Sequence, residues 1–192
     1  MTDAIAERCA MSLPDGREIS LLAPDPGLIR LEDVALGLSR QVRWGGFGRR
    51  CLTVAEHSVL AAWAVRWRGH PPETGAKALL HDAHEFLLRD IAPGAKRLLP
   101  GYRMLCDRLQ RAIETAFGVA APSEAEARAI AEVDLELRVL EVRGGFAPPV
   151  DLGVRPVRLG VLPVITGRDA ETARLLFLQE AEARLPRGIE RR

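Results

Sequence analysis

The sequence predicts a helical protein, and three observations carry the prediction. Apolar residues recur at helical spacing, as Leu31, Val34, Ala35 and Leu38 do at i, i+3, i+4 and i+7. The phrases Thr53-Val54-Ala55-Glu56 and Ser123-Glu124-Ala125-Glu126 have the form of capping boxes that open helices. Glycines such as Gly69 and Gly118 follow the periodic stretches and stop them.

With 47% hydrophobic and 28% charged residues, the 192-residue chain can bury one full core, and a disordered reading is excluded. A formal net charge of +1 supplies no global field toward nucleic acid or an anionic membrane. Stable nucleic-acid binding is therefore not expected, and any hold on phosphate must be local. The cysteines Cys9, Cys51 and Cys106 are odd in number and irregularly spaced, which suits a reducing compartment. The N-terminus carries Asp3 and Glu7 and no apolar leader, and no stretch reaches the roughly 18 apolar residues of a membrane span. The expectation is a soluble, cytoplasmic protein.

Residues 1–27 read as an irregular N-terminal segment with turns at Pro14-Asp15-Gly16 and Pro24-Asp25-Pro26-Gly27. Within it, residues 18–22 form either a short strand or an apolar strap. Residues 28–192 read as one helical domain. Its first helix, from Leu31, has Glu32 and Asp33 in the favourable first turn. Arg43-Trp44-Gly45-Gly46-Phe47-Gly48-Arg49-Arg50 then breaks the helix. The glycines permit close approach of a ligand, and the arginines and aromatics can meet phosphate and a flat ring; a flexible surface loop is the alternative.

The next helix runs from Thr53 to about Trp67 with His57 in its first turn. A helix over 73–88 follows, burying Ala78, Leu79, Ala83, Phe86 and Leu87. Asp90-Ile91-Ala92-Pro93 reads as the cap and opening of a short helix. A helix over 101–117 has Leu105, Leu109, Ala112, Ile113 and Ala116 as its core stripe. The helix after Ser123 buries Ala127, Ile130, Leu137 and Leu140. Residues 144–165 form a Gly/Pro-rich loop of functional or mobile type, 166–185 a closing helix, and 184–192 a basic solvated end.

Four polar residues fall on apolar helix faces: His57, His81, Asp82 and Asp134. Buried ionisable groups cost several kcal/mol unless paired or bound to a metal. Two imidazoles and two carboxylates make a mixed N/O site suited to one divalent ion, Mn, Co, Fe, Ni or Zn, with Mg less favoured where imidazole contributes. His81 and Asp82 diverge by roughly 100° on a helix, so the other two must come from neighbouring helices.

The phrases Val54-Ala55-Glu56-His57-Ser58, Leu79-Leu80-His81-Asp82-Ala83-His84-Glu85, Arg89-Asp90-Ile91-Ala92-Pro93 with Lys96, and Glu132-Val133-Asp134-Leu135 together resemble the HD-domain metal-dependent phosphohydrolases. The resemblance is closest to their 5′-deoxynucleotidase-like branch and spans roughly residues 28–143. It implies an all-α HD-domain helical bundle with a single divalent ion on His57, His81, Asp82 and Asp134, hydrolysing a phosphoester bond of a nucleotide. It further implies that Arg43 contacts phosphate, that Trp44 packs on the sugar, that Glu85 orients the attacking water and that Asp90 lies near the leaving group or sugar. Many relatives have Gly-His where this chain has Gly46-Phe47, which bears on substrate identity. His84, one turn from His81, either supports the metal ligands from behind, faces substrate or lies on the helix surface, the last two being favoured equally.

The expected reaction is hydrolysis of (deoxy)nucleoside 5′-monophosphates to nucleoside and phosphate. Arg43 and Lys96 would neutralise the phosphoryl oxygens, and Glu85 would orient or deprotonate water. The alternative is a dNTP triphosphohydrolase, with Arg49, Arg50 and Lys96 serving the longer tail. A third reading, of another class, is an inactive nucleotide-binding module. The expected partner is the nucleotide substrate, with no membrane; a homodimer is left open, since small proteins of this type often dimerise.

Overall fold

The helix that opens after Thr53 is apolar on nearly every side, and a helix of that kind belongs in the middle of a fold. In the structure, a computed structural model that describes residues 9–153 and 164–186, it does occupy the middle. Among the described residues there are eight α-helices and one two-stranded sheet. The helices are α1 (Leu31–Ser39), α2 (Val54–Trp67), α3 (Pro72–Leu79), α4 (Glu85–Leu88), α5 (Pro93–Lys96), α6 (Tyr102–Ala116), α7 (Glu124–Arg143) and α8 (Ala170–Arg184). The all-α expectation holds. Helix α2 packs against α1, α3, α7 and α8, and its alanines at 55, 61, 62 and 64 are fully buried. None of the described helices is long and apolar enough to cross a membrane.

The predicted stripes of α1 and α6 face the core as expected, with Leu31, Val34, Ala35, Leu38, Leu109, Ala112 and Ile113 buried. On α7, Ile130 and Leu137 are buried but Ala127 is exposed. The N-terminal segment is less irregular than its turns suggest. Strands β1 (Ala10–Ser12) and β2 (Glu18–Ser20) pair antiparallel around Pro14-Asp15-Gly16, and Leu13 and Ile19 join the main core. Residues 1–8, 154–163 and 187–192, which include part of the predicted 144–165 loop and most of the basic tail, lie outside the described residues.

The single helix expected over 73–88 is two. Helix α3 ends at Leu79, residues 80–84 form a turn, and α4 is one turn long. Side chains intercept the carbonyls that would have continued the ladder. His81 Nδ1 lies 2.7 Å from the Ala78 carbonyl, and Gln110 Nε2, from α6, donates to the Leu80 carbonyl at 2.8 Å. Within the turn the bonds are of the tighter i to i+3 type, such as Glu85 N–H to the Asp82 carbonyl at 3.0 Å. That winding is close enough to α-helical to preserve the apolar spacing, so periodicity alone does not reveal the break.

The two capping boxes also differ from each other. At Ser123 both halves form: the Ser123 hydroxyl accepts from Glu126 N–H at 3.3 Å, and Glu126 Oε2 accepts from Ser123 N–H at 2.8 Å. At Thr53 only the first half forms, at 3.1 Å. Glu56, fully buried, turns instead to Thr166 and Arg168 and accepts four hydrogen bonds of 2.6 to 3.1 Å from them. Those bonds hold residues 166–168 out of helical conformation, so α8 begins only at Ala170, capped by Asp169 (Thr172 N–H to Oδ1, 2.9 Å). The closing helix therefore starts four residues later than its sequence predicts.

Glu126 also receives Lys77 Nζ at 2.7 Å, joining α7 to α3. Lys77, then the Ser123 cap, hold this carboxyl down to about 2. A depressed folded pKa contributes stability that is present above the unfolded value near 4.3 and lost as pH falls through the folded one. Glu126→Gln should therefore lower stability at pH 7 by up to about 1 kcal/mol. In urea titrations followed by circular dichroism, the gap to wild type should close between about pH 4 and pH 2.

Candidate metal centre and its pocket

The first turn of α2, the turn after α3 and the middle of α7 converge on one point. His57 is fully buried, and its Nε2 lies 3.2 Å from Asp134 Oδ1 and 3.9 Å from Asp82 Oδ2. His81 Nε2 lies 3.2 Å from Asp82 Oδ2, and the two imidazole centroids are 5.3 Å apart. The four residues that the sequence singled out as metal ligands are thus brought together from three separate elements. One nitrogen or oxygen each from His57, His81 and Asp82 falls within a 4.8 Å cluster.

The Nδ1 atoms of both rings are tied off. His57 Nδ1 sits 2.7 Å from Glu141 Oε1, and His81 Nδ1 sits 2.7 Å from the Ala78 carbonyl. An ionised carboxylate and a carbonyl only accept, so both Nδ1 atoms carry the proton. On both rings Nε2 is left facing the carboxylates, and among the described residues neither Nε2 has a hydrogen-bond partner. Metal-binding histidines have this pattern, with the far nitrogen donating to a carboxylate or carbonyl and the near one free for the ion. The residues present fit a divalent cation.

Electrostatics agree with the geometry. Burial opposes charge on Asp82, but His81, His57 and Arg43 outweigh it and hold the carboxyl well below its usual range. Asp134 is likewise held low against burial, by His57, His81 and Arg138. Burial also opposes charge on His81, yet Asp82 and Asp134 push it up to about 9. The cluster attracts positive charge.

Behind these four residues stands one that the sequence does not single out. Glu141 has no exposed surface and accepts from three donors: His57 Nδ1, Arg43 Nε at 3.2 Å and Trp44 Nε1 at 2.6 Å. Burial opposes its ionisation, but Arg43 and His57 bring it down to about 2. A signal existed: Glu141 is two turns after Asp134 and four residues after Leu137, on the buried stripe of α7.

Arg43 is buried, with Nη1 3.6 Å from Asp82 and Nη2 4.0 Å from Asp134. Its loop is no free surface segment. Residues 41–43 pair with 52–54 at its base, and a Cβ on Gly48 would come within 2.1 Å of the Phe146 carbonyl, so only glycine fits. Trp44 adopts φ 59°, ψ 25°, a left-handed conformation uncommon for a bulky residue. Its N–H to Asp90 Oδ2 (3.3 Å) and its indole bond to Glu141 hold it there.

Asp90 is therefore not the cap that its sequence context suggests. Ala92 occupies the N-cap of α5, and the Asp90 carboxylate turns to the Arg43-Trp44 loop. A second residue missed by sequence reading, Gln41, sets this arrangement. Its buried amide donates to the Glu85 carbonyl and accepts from Asp90 N–H at 3.0 Å. Between those two contacts Arg89 has φ 71°, ψ 156°, a region costing about 1–3 kcal/mol outside glycine. The Tyr102 hydroxyl, reaching the Leu88 and Arg89 carbonyls at 3.0 and 3.1 Å, helps retain it.

Glu85 is buried, and its Oε1 takes Lys96 Nζ at 3.0 Å while Oε2 has no partner among the described residues. Burial, then Asp82 and Asp90, push its carboxyl up to about 7, against the pull of Lys96. A carboxylate at that value is poised to exchange a proton near neutrality. A cavity of about 460 Å³ is lined by Arg43, Trp44, Asp82, Glu85, Asp90, Lys96 and Asp134, with Arg138 as an unanticipated further cation. Arg49 and Arg50 do not line it; Arg50 caps the Phe146 ring at 4.6 Å and donates to the Thr166 carbonyl. His84 faces Gln110 of α6, with Nδ1 3.2 Å from Gln110 Oε1, rather than the cavity.

No protein-family model matches the chain. It is 32% identical to an uncharacterized protein of Rhodobacter capsulatus over an alignment covering 88% of this chain and 94% of that protein. It is 34% identical to the uncharacterized protein YfdR of Escherichia coli over 91 residues, 47% of this chain and 48% of that protein.

The arrangement makes one sharp prediction. Glu141→Leu keeps side-chain volume but leaves Arg43 buried without its closest carboxylate, so it should destabilise the fold by about 3–5 kcal/mol, the usual cost of breaking a buried pair. Chemical unfolding monitored by tryptophan fluorescence reads this. A variant within about 0.5 kcal/mol of wild type, the range of an ordinary surface change, would remove Glu141 from its central place.

Proposed function

We propose, for a chain that belongs to the family of the uncharacterized Rhodobacter capsulatus protein, a metal-dependent nucleotide phosphohydrolase of the HD-domain type, acting on (deoxy)nucleoside 5′-monophosphates. The observation that carries the reading is the pair of buried, unpartnered Nε2 atoms on His57 and His81, aimed at Asp82 and Asp134 beside a cavity that also holds Glu85. A divalent ion on these four residues would lower the pKa of water and polarise a phosphoryl oxygen.

The chain's own groups divide the remaining work. Glu85 Oε2 is free to accept a proton from the water that attacks phosphorus, and Lys96 keeps Oε1 in place. Water's oxygen forms the new P–O bond, the ester P–O bond breaks, and the leaving oxygen takes up a proton. Arg43, fixed by Glu141 through Nε, has Nη groups at 3.6 and 4.0 Å from the ligand carboxylates, beyond firm hydrogen-bond range, so they can turn to phosphate. Asp90 and Trp44 line the same cavity, where the sugar and leaving group would lie.

The supply of cations favours a single phosphate. Arg43, Lys96 and Arg138 line the cavity, and with a divalent ion they are the positive groups at hand for a dianionic monophosphate. A triphosphate carries about twice the charge, and Arg49 and Arg50, which would have served its tail, lie outside the cavity wall. With the metal ligands and Glu85 in place, an inactive module has no observation in its favour.

The test is a screen of Mn²⁺-reconstituted protein against nucleoside mono- and triphosphates, with released phosphate and triphosphate identified. Phosphate from monophosphates is expected; triphosphate release would select the rival. Glu85→Gln should keep wild-type metal content while turnover falls by roughly 10²-fold or more. Unchanged turnover in that variant would return Glu85 to a structural role.

A further inference from the structure

The groups assigned above account for one end of the cavity. Arg43 and Glu85 are buried at its floor, with Asp82 and Asp134 beside them. The mouth is different in kind. Phe47 is 83% exposed, Ala92 and Pro93 are exposed, and Ile91, Pro148 and Leu152 are half-buried along the wall. A ligand long enough to touch both ends would carry its negative charge at one and a flat or apolar group at the other.

Phe47 is the residue to which this contrast points. A single exposed aromatic is ordinary on a protein surface, so exposure alone decides nothing. Its position does. Phe47 lies four residues after Arg43, and the chain between them takes φ of 59°, 61° and 77° at Trp44, Gly45 and Gly46. Three left-handed residues in a row reverse the backbone, so that one short loop places a buried cation at the floor and an uncovered ring at the mouth. Gly46 has nothing within 4 Å of its Cβ position, so the glycine there serves backbone conformation rather than close packing. The loop's base is fixed by the pairing of residues 41–43 with 52–54, which holds the floor-to-mouth spacing.

We propose that Phe47 is the stacking platform for the base of the substrate, and so a specificity-determining residue. This rests on the phosphohydrolase reading for the identity of the anionic end. Aromatic stacking accepts any π-face and is worth about 1–3 kcal/mol per base in nucleic-acid binders, or roughly 5- to 150-fold. The platform separates nucleotides from phosphate esters that lack an aromatic base.

The experiment compares kcat/KM of Mn²⁺-loaded wild type, Phe47→Ala and Phe47→Tyr on deoxyadenosine 5′-monophosphate and on deoxyribose 5-phosphate. Phe47→Ala should lower the ratio of the two by about 10-fold or more, and Phe47→Tyr should restore it. An unchanged ratio in Phe47→Ala, or an equal loss on both esters, overturns the proposal. Calorimetric titration with deoxyadenosine 5′-monophosphate reads the same subsite without turnover, and there Phe47→Ala should bind about 10-fold more weakly. Wild type that hydrolyses neither ester yet shows this difference in binding would sink the hydrolase reading and leave the stacking subsite standing; equal binding by the two proteins overturns the subsite itself.

Discussion

Glu141 has no exposed surface, and its carboxylate is met by His57 from the start of α2 and by Arg43 and Trp44 from the loop before it. A buried carboxylate is tolerated only when its lone pairs are filled and its charge is balanced. Filling them draws α7, α2 and the 43–52 loop to one place. It also fixes the proton of His57 on Nδ1, which leaves Nε2 turned toward Asp134 and Asp82. The orientation of one imidazole and the depth of one guanidinium follow from this one group, which with Asp90 also holds the left-handed backbone of Trp44.

Glu56 solves a similar problem at the neighbouring position of α2. Its four donors come from Thr166 and Arg168, so a buried carboxylate again decides where a distant stretch of chain must lie. Side by side, Glu56 and His57 anchor the chain leading into α8 and the His/Asp cluster to the same helical turn. One corner of the site, His57, is therefore set on the most buried helix of the fold, where side-chain positions are held by packing on all sides.

The sequence makes some of this legible. His57, His81, Asp82 and Asp134 stand out because each interrupts an apolar face, and a polar interruption implies a partner whatever that partner proves to be. Stripes such as Leu31, Val34, Ala35 and Leu38 are legible for the complementary reason, since burial imposes their spacing. Gln41 is not, because its role is a hydrogen bond to a residue 44 positions away, which no local pattern records. Glu141 interrupts the buried stripe of α7 as Asp134 does, but its partner Arg43, 98 positions away, is invisible to local pattern. The break at residues 80–84 is hidden for the same reason: Gln110, from another helix, takes the carbonyl that would have continued the ladder. The Thr53 phrase has the letters of a capping box, but the contacts of Glu56 with Thr166 and Arg168 override it. Local chemistry predicts local bonds until a distant donor competes for the same atom.

The central claim is that the turn carrying His81 and Asp82, the first turn of α2 and the middle of α7 together hold one divalent cation. Anomalous diffraction from crystals grown with Mn²⁺ tests it most directly. A single strong anomalous peak bounded by His57 Nε2, His81 Nε2, Asp82 and Asp134 is the predicted result. A map with no peak there, or with its strongest peak on other residues, would contradict it.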